Sequence, residues 1–572
     1  MDVDTYLVLV YWHVAMVTLQ SLFAQGHKTL VMTDKGQVQG KTYYVHGKKV
    51  DVFYGIPYAK PPLGDLRFLH PEQLDPWPGV LDATKKPNCC IQLPDTVFGN
   101  FSGSSVWNPN TKVSEDCLYL SVWTPRTHPP YTNKAVIVWV YGGAFMTGSS
   151  VLDIYDGKYL ATENDIVVVS MQFRFGALGY FVLGSPHSPG NAGMMDLRMA
   201  LEWIQRNIHY FGGNPHNITL VGESSGAVSI GLFMLSSLGR GLFHRAILQS
   251  GAPQAPWGTY TLQEGRRRSL VLAELLGCDP KASDRIILQC LRKVPAMRFP
   301  EEEIRVVEGV AQFPFIPVID GTFLIRTPSQ YLREGHFKKI PLLLGSNANE
   351  GSWLLVYAEP AYFNINTPSL VSKESYNIVM DKLFRYYPQY PNELNHLGKE
   401  AIKFQYTDWL DPYNQSRLRT NVEQAVGDYH FTCGVADMAK TVSEHGLDVY
   451  FYRFSHRMST HSWPEWMGVL HGDEIFFVFG QPLNKEMNFT GDEKKLSKKI
   501  MKMWTNFAKT GNPNRGPGEM EIQEWPKFRH NEQLFLDINL DLLGNGNKWG
   551  KGVRPEHCAF WEHYVSNIAQ MS

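Results

Sequence analysis

Ser224 lies in Gly222-Glu223-Ser224-Ser225-Gly226, a G-x-S-x-G pentapeptide whose residue types suit nucleophilic chemistry. Ile218-Thr-Leu-Val221 before it reads as a strand, and the small-residue stretch Ala227–Met234 after it reads as a helix. That strand–turn–helix context gives the pentapeptide its meaning. The turn is tight enough that side chains at the glycines would clash, and it lifts the serine hydroxyl above a sheet with a helix N-terminus aimed at it. A hydroxyl is a poor nucleophile until a base takes its proton, so the serine needs a histidine, and the histidine a carboxylate. After such a turn the partners follow in the order Ser, Asp/Glu, His. Glu350, in Gly345-Ser-Asn-Ala-Asn-Glu-Gly351, and His471, in Gly468-Val-Leu-His-Gly-Asp-Glu474, fit that order. Asp320 competes as the acid, and His456 and His461 compete as the base; order alone does not choose among them.

The elements that must hold these residues are legible as short apolar runs. Ala135–Val140, Asp165–Ser170, Ile218–Val221, Arg245–Gln249, Ile340–Leu344 and Val449–Arg453 read as strands buried on both faces. They alternate with helical stretches, the pattern of an α/β chain with a mostly parallel sheet covered by helices. Ligands bind such sheets beyond the carboxyl ends of the strands, which is where the loops carrying Ser224, Glu350 and His471 fall. Gly142-Gly143-Ala144 directly follows Ala135–Val140 and reaches the same edge. No internal repeat or low-complexity linker divides the chain.

Composition narrows the class. A net charge of -1, with no long basic run, argues against a nucleic-acid partner. Aromatic residues make up 13%, more than a core usually needs, so some are expected to line a pocket. Tyr6–Phe23 is mostly apolar and is followed by Ala24-Gln25-Gly26, which reads as a signal peptide cut after Gly26. The remainder, 27–572, is then one catalytic domain. The n-region lacks positive charge, and a membrane anchor is the competing reading, but His13 and Gln20 interrupt the run. No second apolar span and no lipid-anchor tail follow, so a secreted protein is expected. Sequons at Asn100, Asn217, Asn414 and Asn488 agree with export. Seven cysteines make three pairs with one left over. Spacing suggests Cys90–Cys117, Cys278–Cys290 and Cys433–Cys558, with Cys89 free, although spacing alone does not fix connectivity. No Cys/His cluster has ligand spacing, so no metal or cofactor is implied.

Three further segments carry a resemblance. Ser114-Glu-Asp-Cys-Leu-Tyr-Leu120, Pro464-Glu-Trp-Met-Gly-Val-Leu-His-Gly472 and Trp504-Thr-Asn-Phe-Ala-Lys-Thr-Gly-Asn-Pro-Asn514 resemble the type B carboxylesterases, and the cholinesterases among them, over roughly residues 29 to 565. The resemblance implies the α/β-hydrolase fold: a large, twisted, mostly parallel sheet with helices on both faces and an active site at the base of an aromatic gorge. It selects Glu350 and His471 as partners of Ser224 and gives Ser250 a role supporting the acid. It assigns the oxyanion-binding N–H groups to Gly143, Ala144 and Ser225. Cholinesterases usually carry glycine where Ala144 stands and alanine where Ser225 stands; backbone donors survive both changes, provided that the φ at Ala144 tolerates a Cβ.

The resemblance also implies a choline-ester substrate, acetylcholine foremost. Trp107, in Ser105-Val-Trp-Asn-Pro-Asn110, matches the tryptophan that holds choline, with Glu223 and Trp353 beside it and Asp95 at the gorge mouth. Trp257 and Phe313 match acyl-pocket aromatics. Ala311 replaces a second phenylalanine, which implies a relaxed acetyl preference. Leu93 and Met146 replace tyrosines, and Glu301–Val310 lacks a tryptophan, so a peripheral cation site is expected to be weak. The chain ends without the family's oligomerising tail, which implies a monomer, with a dimer also open. Competing readings are a broad carboxylesterase, a butyrylcholinesterase-like enzyme, and an adhesion protein that has lost catalysis.

Overall fold

Valine and isoleucine runs with no polar face build the middle of the sheet. The computed structural model describes residues 28–126, 133–519, 525–544 and 548–571. The leader expected over residues 1–26 lies outside the described residues. The strands are β1 (Lys28–Met32), β2 (Gln37–Val45), β3 (Lys48–Pro57), β4 (Val80–Asp82), β5 (Tyr119–Pro125), β6 (Lys134–Val140), β7 (Val167–Met171), β8 (Gly213–Glu223) and β9 (Arg245–Gln249). After a small ribbon of β10 (Tyr260–Thr261) and β11 (Val318–Ile319) come β12 (Leu342–Asn347), β13 (Val449–Phe454), β14 (Leu534–Ile538) and β15 (Trp549–Lys551).

The main sheet runs β1-β2-β3-β5-β7-β6-β8-β9-β12-β13-β14-β15, with β4 beside β2. From β7 to β14 all neighbours are parallel, whereas β1, β2, β3 and β5 form an antiparallel flank that joins at β7. All six expected strands belong to the parallel part. Their ends differ by a few residues: β7 starts at Val167 because Asp165 takes a left-handed conformation after the preceding helix, and β8 starts upstream at Gly213. Every residue of β6, β7 and β12 is buried, as expected for strands covered on both faces.

Parallel strands bring all their carboxyl ends to one edge. The helix Ser225–Leu235 packs against β8 and β9, and the long helix Gly491–Thr510 covers β6 and β8. The latter starts at a capping box in which Thr490 and Glu493 satisfy each other's backbone N–H groups. Gly226 explains the tightness of the turn between β8 and its helix: a Cβ there would sit 2.0 Å from the carbonyl oxygen of Val140. Three disulfides form, Cys90–Cys117, Cys278–Cys290 and Cys433–Cys558, and Cys89 is a buried free thiol. Among the described residues no helix is long and apolar enough to cross a membrane.

The contact at Gly226 yields a stability prediction. Gly226→Ala forces the helix away from β6 and is expected to cost more than about 2 kcal/mol, as overpacked cores do. Urea unfolding measures it; an unchanged midpoint would show that the turn has slack.

Candidate active site

The strand order β6-β8-β9-β12-β13 lays out the candidate residues side by side. The loop Gly142-Gly143-Ala144 leaves β6, Ser224 leaves β8, Ser250 leaves β9, Glu350 follows β12, and the segment carrying His471 follows β13. Ser224 has φ +55° and ψ -126°, a conformation disfavoured for a side chain larger than glycine's. Its N–H donates to the carbonyl of Gln249 at 2.8 Å, which pins the turn to β9. A Cβ on Gly142 would fall 2.7 Å from Glu223 Oε2 and 2.8 Å from Ser224 Cβ, so the β6 loop lies directly against both residues.

Glu350 is 2% exposed. Its Oε1 accepts from the Ser250 hydroxyl and from the Asn347 N–H, each at 2.6 Å, and its Oε2 lies 2.6 Å from Nδ1 of His471. The imidazole is held between Phe431, at a centroid distance of 4.4 Å, and Trp353, stacked at 5.4 Å. Its far nitrogen, Nε2, lies 3.1 Å from Glu223 Oε1 without an aligned hydrogen bond. The competing residues are engaged elsewhere. His456 pairs with Glu493 and His461 with Asp473, while Asp320 caps the backbone N–H groups of Thr322, Phe323 and Leu324.

Gly143 has φ +120°, and a Cβ there would meet the Thr147 carbonyl oxygen at 2.3 Å, so only glycine fits. Ala144 sits at φ +59°. Its Cβ is tolerated, at a cost of about 1 kcal/mol relative to glycine. No protein acceptor takes the backbone N–H of Gly143, Ala144 or Ser225 among the described residues. Ser225 opens a helix, so its N–H has no intrahelical acceptor.

Trp107 reaches this cluster through Gly472, where a Cβ would lie 3.2 Å from the indole. Phe476 and Tyr155 pack around its ring. Asp95 stands further out, accepting from the Tyr357 hydroxyl at 2.5 Å; Tyr357 in turn packs on Trp353. On the other side Trp257 contacts Phe313 and Phe431 at 5.7 Å each and donates its indole N–H to the His430 carbonyl. Ala311 has φ +51°, where a bulky side chain is disfavoured. Among the sequons, Asn100 and Asn488 are exposed and Asn414 caps a helix, whereas Asn217 lies in β8 with its amide engaged by Arg245 and Lys509. Among the described residues no cluster of His, Cys, Asp or Glu could hold a metal ion.

Sequence reasoning missed the polar layer beneath these groups. Gln249 and Asn347 donate to the buried carboxyl of Glu474 at 2.9 and 2.6 Å, and Trp504 donates to Gln249. Asn347, Glu474 and Trp504 fall within segments quoted above, but nothing in the sequence pairs them with one another or with Gln249; the partners come from strands and helices far apart in the chain.

The electrostatics couple the carboxyls to the imidazole. Burial pushes Glu223 up to about 8, against the pull of His471. Burial likewise holds Glu474 at about 7. Burial opposes charge on His471, but the carboxylates of Glu223 and then Glu350 outweigh it and raise the imidazole to about 9. Protonating Glu223 removes the largest of these attractions, so Glu223 and His471 compete for one proton.

The carboxylesterase family model matches residues 27–561. The chain belongs to the carboxylesterase family. It is 42% identical to the acetylcholinesterase of Electrophorus electricus, covering 95% of this chain and 89% of that protein. It is also 42% identical to the acetylcholinesterase of Danio rerio, covering 96% and 90% respectively. As a member it is a serine carboxylic ester hydrolase of α/β-hydrolase fold.

The coupling gives a pH prediction. A base must be neutral, so kcat/KM is expected to rise as the imidazole loses its proton. Glu223→Gln removes the attraction that holds that proton, and the acidic limb of the kcat/KM profile should move to lower pH. A limb that stays in place would show that Glu223 does not share the proton.

Proposed function

We propose that this chain is a secreted choline-ester hydrolase acting on acetylcholine through an acyl-enzyme on Ser224. A quaternary ammonium cannot donate a hydrogen bond, so it is held by aromatic faces. The observation that carries the choline reading is the contact of Trp107 with Gly472, the residue following His471. A cation-binding ring thereby stands beside the proposed base. The acetylcholinesterases to which the chain is similar support the same substrate.

In this reading Nε2 of His471 takes the proton from Ser224 Oγ as the oxygen attacks the ester carbonyl. Nδ1–H donates to Glu350, whose charge stabilises the imidazolium and whose bonds to Ser250 and Asn347 fix its orientation. The N–H groups of Gly143, Ala144 and Ser225 bind the tetrahedral oxyanion. The imidazolium then protonates the departing choline oxygen. Water, activated by the same imidazole, releases acetate and restores Ser224.

Trp257 and Phe313 bound the acyl side, and Ala311 leaves room for acyl groups longer than acetyl. Asp95, and Glu223 when it has given up its proton, add negative potential for a cationic substrate. Cleavage of a leader after Gly26 leaves 27–572 as one catalytic domain, with Asn100 and Asn488 the most accessible acceptors for glycans.

Two measurements test this reading. Wild-type kcat/KM on acetylthiocholine is expected to exceed that on its uncharged carbon isostere, and Trp107→Ala should remove about 10-fold or more of that preference. Equal rates on the two esters in the wild type would leave a general carboxylesterase. The acetyl preference over butyrylthiocholine should be modest, about 10-fold or less. Complete rejection of the butyryl ester would rule out the open acyl pocket.

A further inference from the structure

Two loops must meet for the Glu350–His471 pair to form; Asn347 reaches across with one side-chain bond to the Leu470 carbonyl at 2.7 Å, and Asn349 with a two-way one. Asn349 donates its backbone N–H to the Val469 carbonyl at 3.0 Å, and its side-chain Oδ1 accepts the Val469 N–H at 3.0 Å. This two-way clamp lies beside Glu350 in one loop and two residues before His471 in the other. Its fit is close: a Cβ on Gly468 would sit 2.1 Å from Asn349 Oδ1, and Gly468 has φ +69°.

Glu423, on the helix Gln415–Gly427, backs the clamp and is 4% exposed. Its Oε2 accepts from Asn349 Nδ2 and its Oε1 from the Gly351 N–H, both at 3.2 Å. Glycines allow the approach, since a Cβ on Gly351 would meet the Glu423 carbonyl oxygen at 2.2 Å. Residues on both sides of Glu350 are therefore tied to one buried carboxyl. A side chain buried at this depth and committed to the Asn349 amide on one side and the Gly351 backbone on the other does more than fill space.

We infer that Asn349, held by Glu423, is a positioning residue that sets the register of Glu350 against His471. The inference rests on the reading of His471 as the base. Asn349 touches no reacting atom; it acts by keeping Nδ1 and Oε2 within 2.6 Å. Loss of the clamp lets the loops slide, which weakens proton transfer but leaves the aromatic walls that bind substrate.

The test is steady-state kinetics on acetylthiocholine for folded variants. Asn349→Ala is expected to lower kcat by about 10- to 100-fold, as small misplacements of reacting groups do, with KM changed less than about threefold. Burial pushes Glu423 up to about 8, so the carboxylate of Asn349→Asp can accept from Val469 and from the Glu423 carboxyl proton, and this variant should restore kcat to within about threefold of wild type. If Asn349→Ala fails to fold, Asn349→Ser keeps the backbone bond but cannot span to Glu423, and should lose kcat in the same direction. A wild-type kcat in Asn349→Ala or Asn349→Ser, or equal losses in Asn349→Ala and Asn349→Asp, overturns the positioning role. His471→Ala separates the two levels: turnover that survives it removes the base itself, whereas an inactive His471→Ala alongside a fully active Asn349→Ala removes only the clamp.

Discussion

A carboxylate withdrawn from water costs several kcal/mol unless the protein replaces its hydration with fixed partners. Glu350 imposes that constraint on the whole carboxyl edge of the sheet. Its partners are the Ser250 hydroxyl, the Asn347 N–H and the His471 imidazole, from the segment after β9, the last residue of β12 and the segment after β13. None is a sequence neighbour beyond Asn347, so the charge can be buried only when three parallel strands are in register. The fold of the sheet and the orientation of the imidazole are thus parts of one solvation problem.

The same edge tolerates strain because the core beneath it is rigid. Ser224, Ser250, Ala144 and Ala311 all take left-handed backbone conformations that are rare for residues with a Cβ. The two serines are buried and pinned to neighbouring strands, Ser224 N–H to the Gln249 carbonyl and Ser250 N–H to the Gly345 carbonyl. Ser224 and Ser250 carry that strain at the carboxyl ends of β8 and β9, while β6, β7 and β12 are buried along their whole length.

How much of this was legible follows from where each signal resides. The parallel strands were readable because residues buried on both faces make continuous apolar runs. The antiparallel flank was not: β2, Gln37–Val45, carries only Val38 and Val45 as aliphatic residues among polar ones, Gly40 and two tyrosines, so its sequence lacks a clear strand period. Ser224 announces itself because the turn demands glycines at fixed positions. His471 does not, since chain order admits His456 and His461 equally; only the structure gives those two to Glu493 and Asp473. Gln249, Asn347, Glu423 and Glu474 were invisible because a buried polar residue is explained by its partner, and here the partners lie far along the chain.

Cys433–Cys558 joins two points 125 positions apart, with His471 inside that span and Ser224 and Glu350 before it. A protease that cuts once between the two cysteines therefore makes two polypeptides but not two molecules. The severed piece keeps its bond to the body that carries the serine and stays tethered beside it. Such a nicked molecule migrates as one species until a reductant is added, so its integrity as a polypeptide and as a covalent assembly are separate properties.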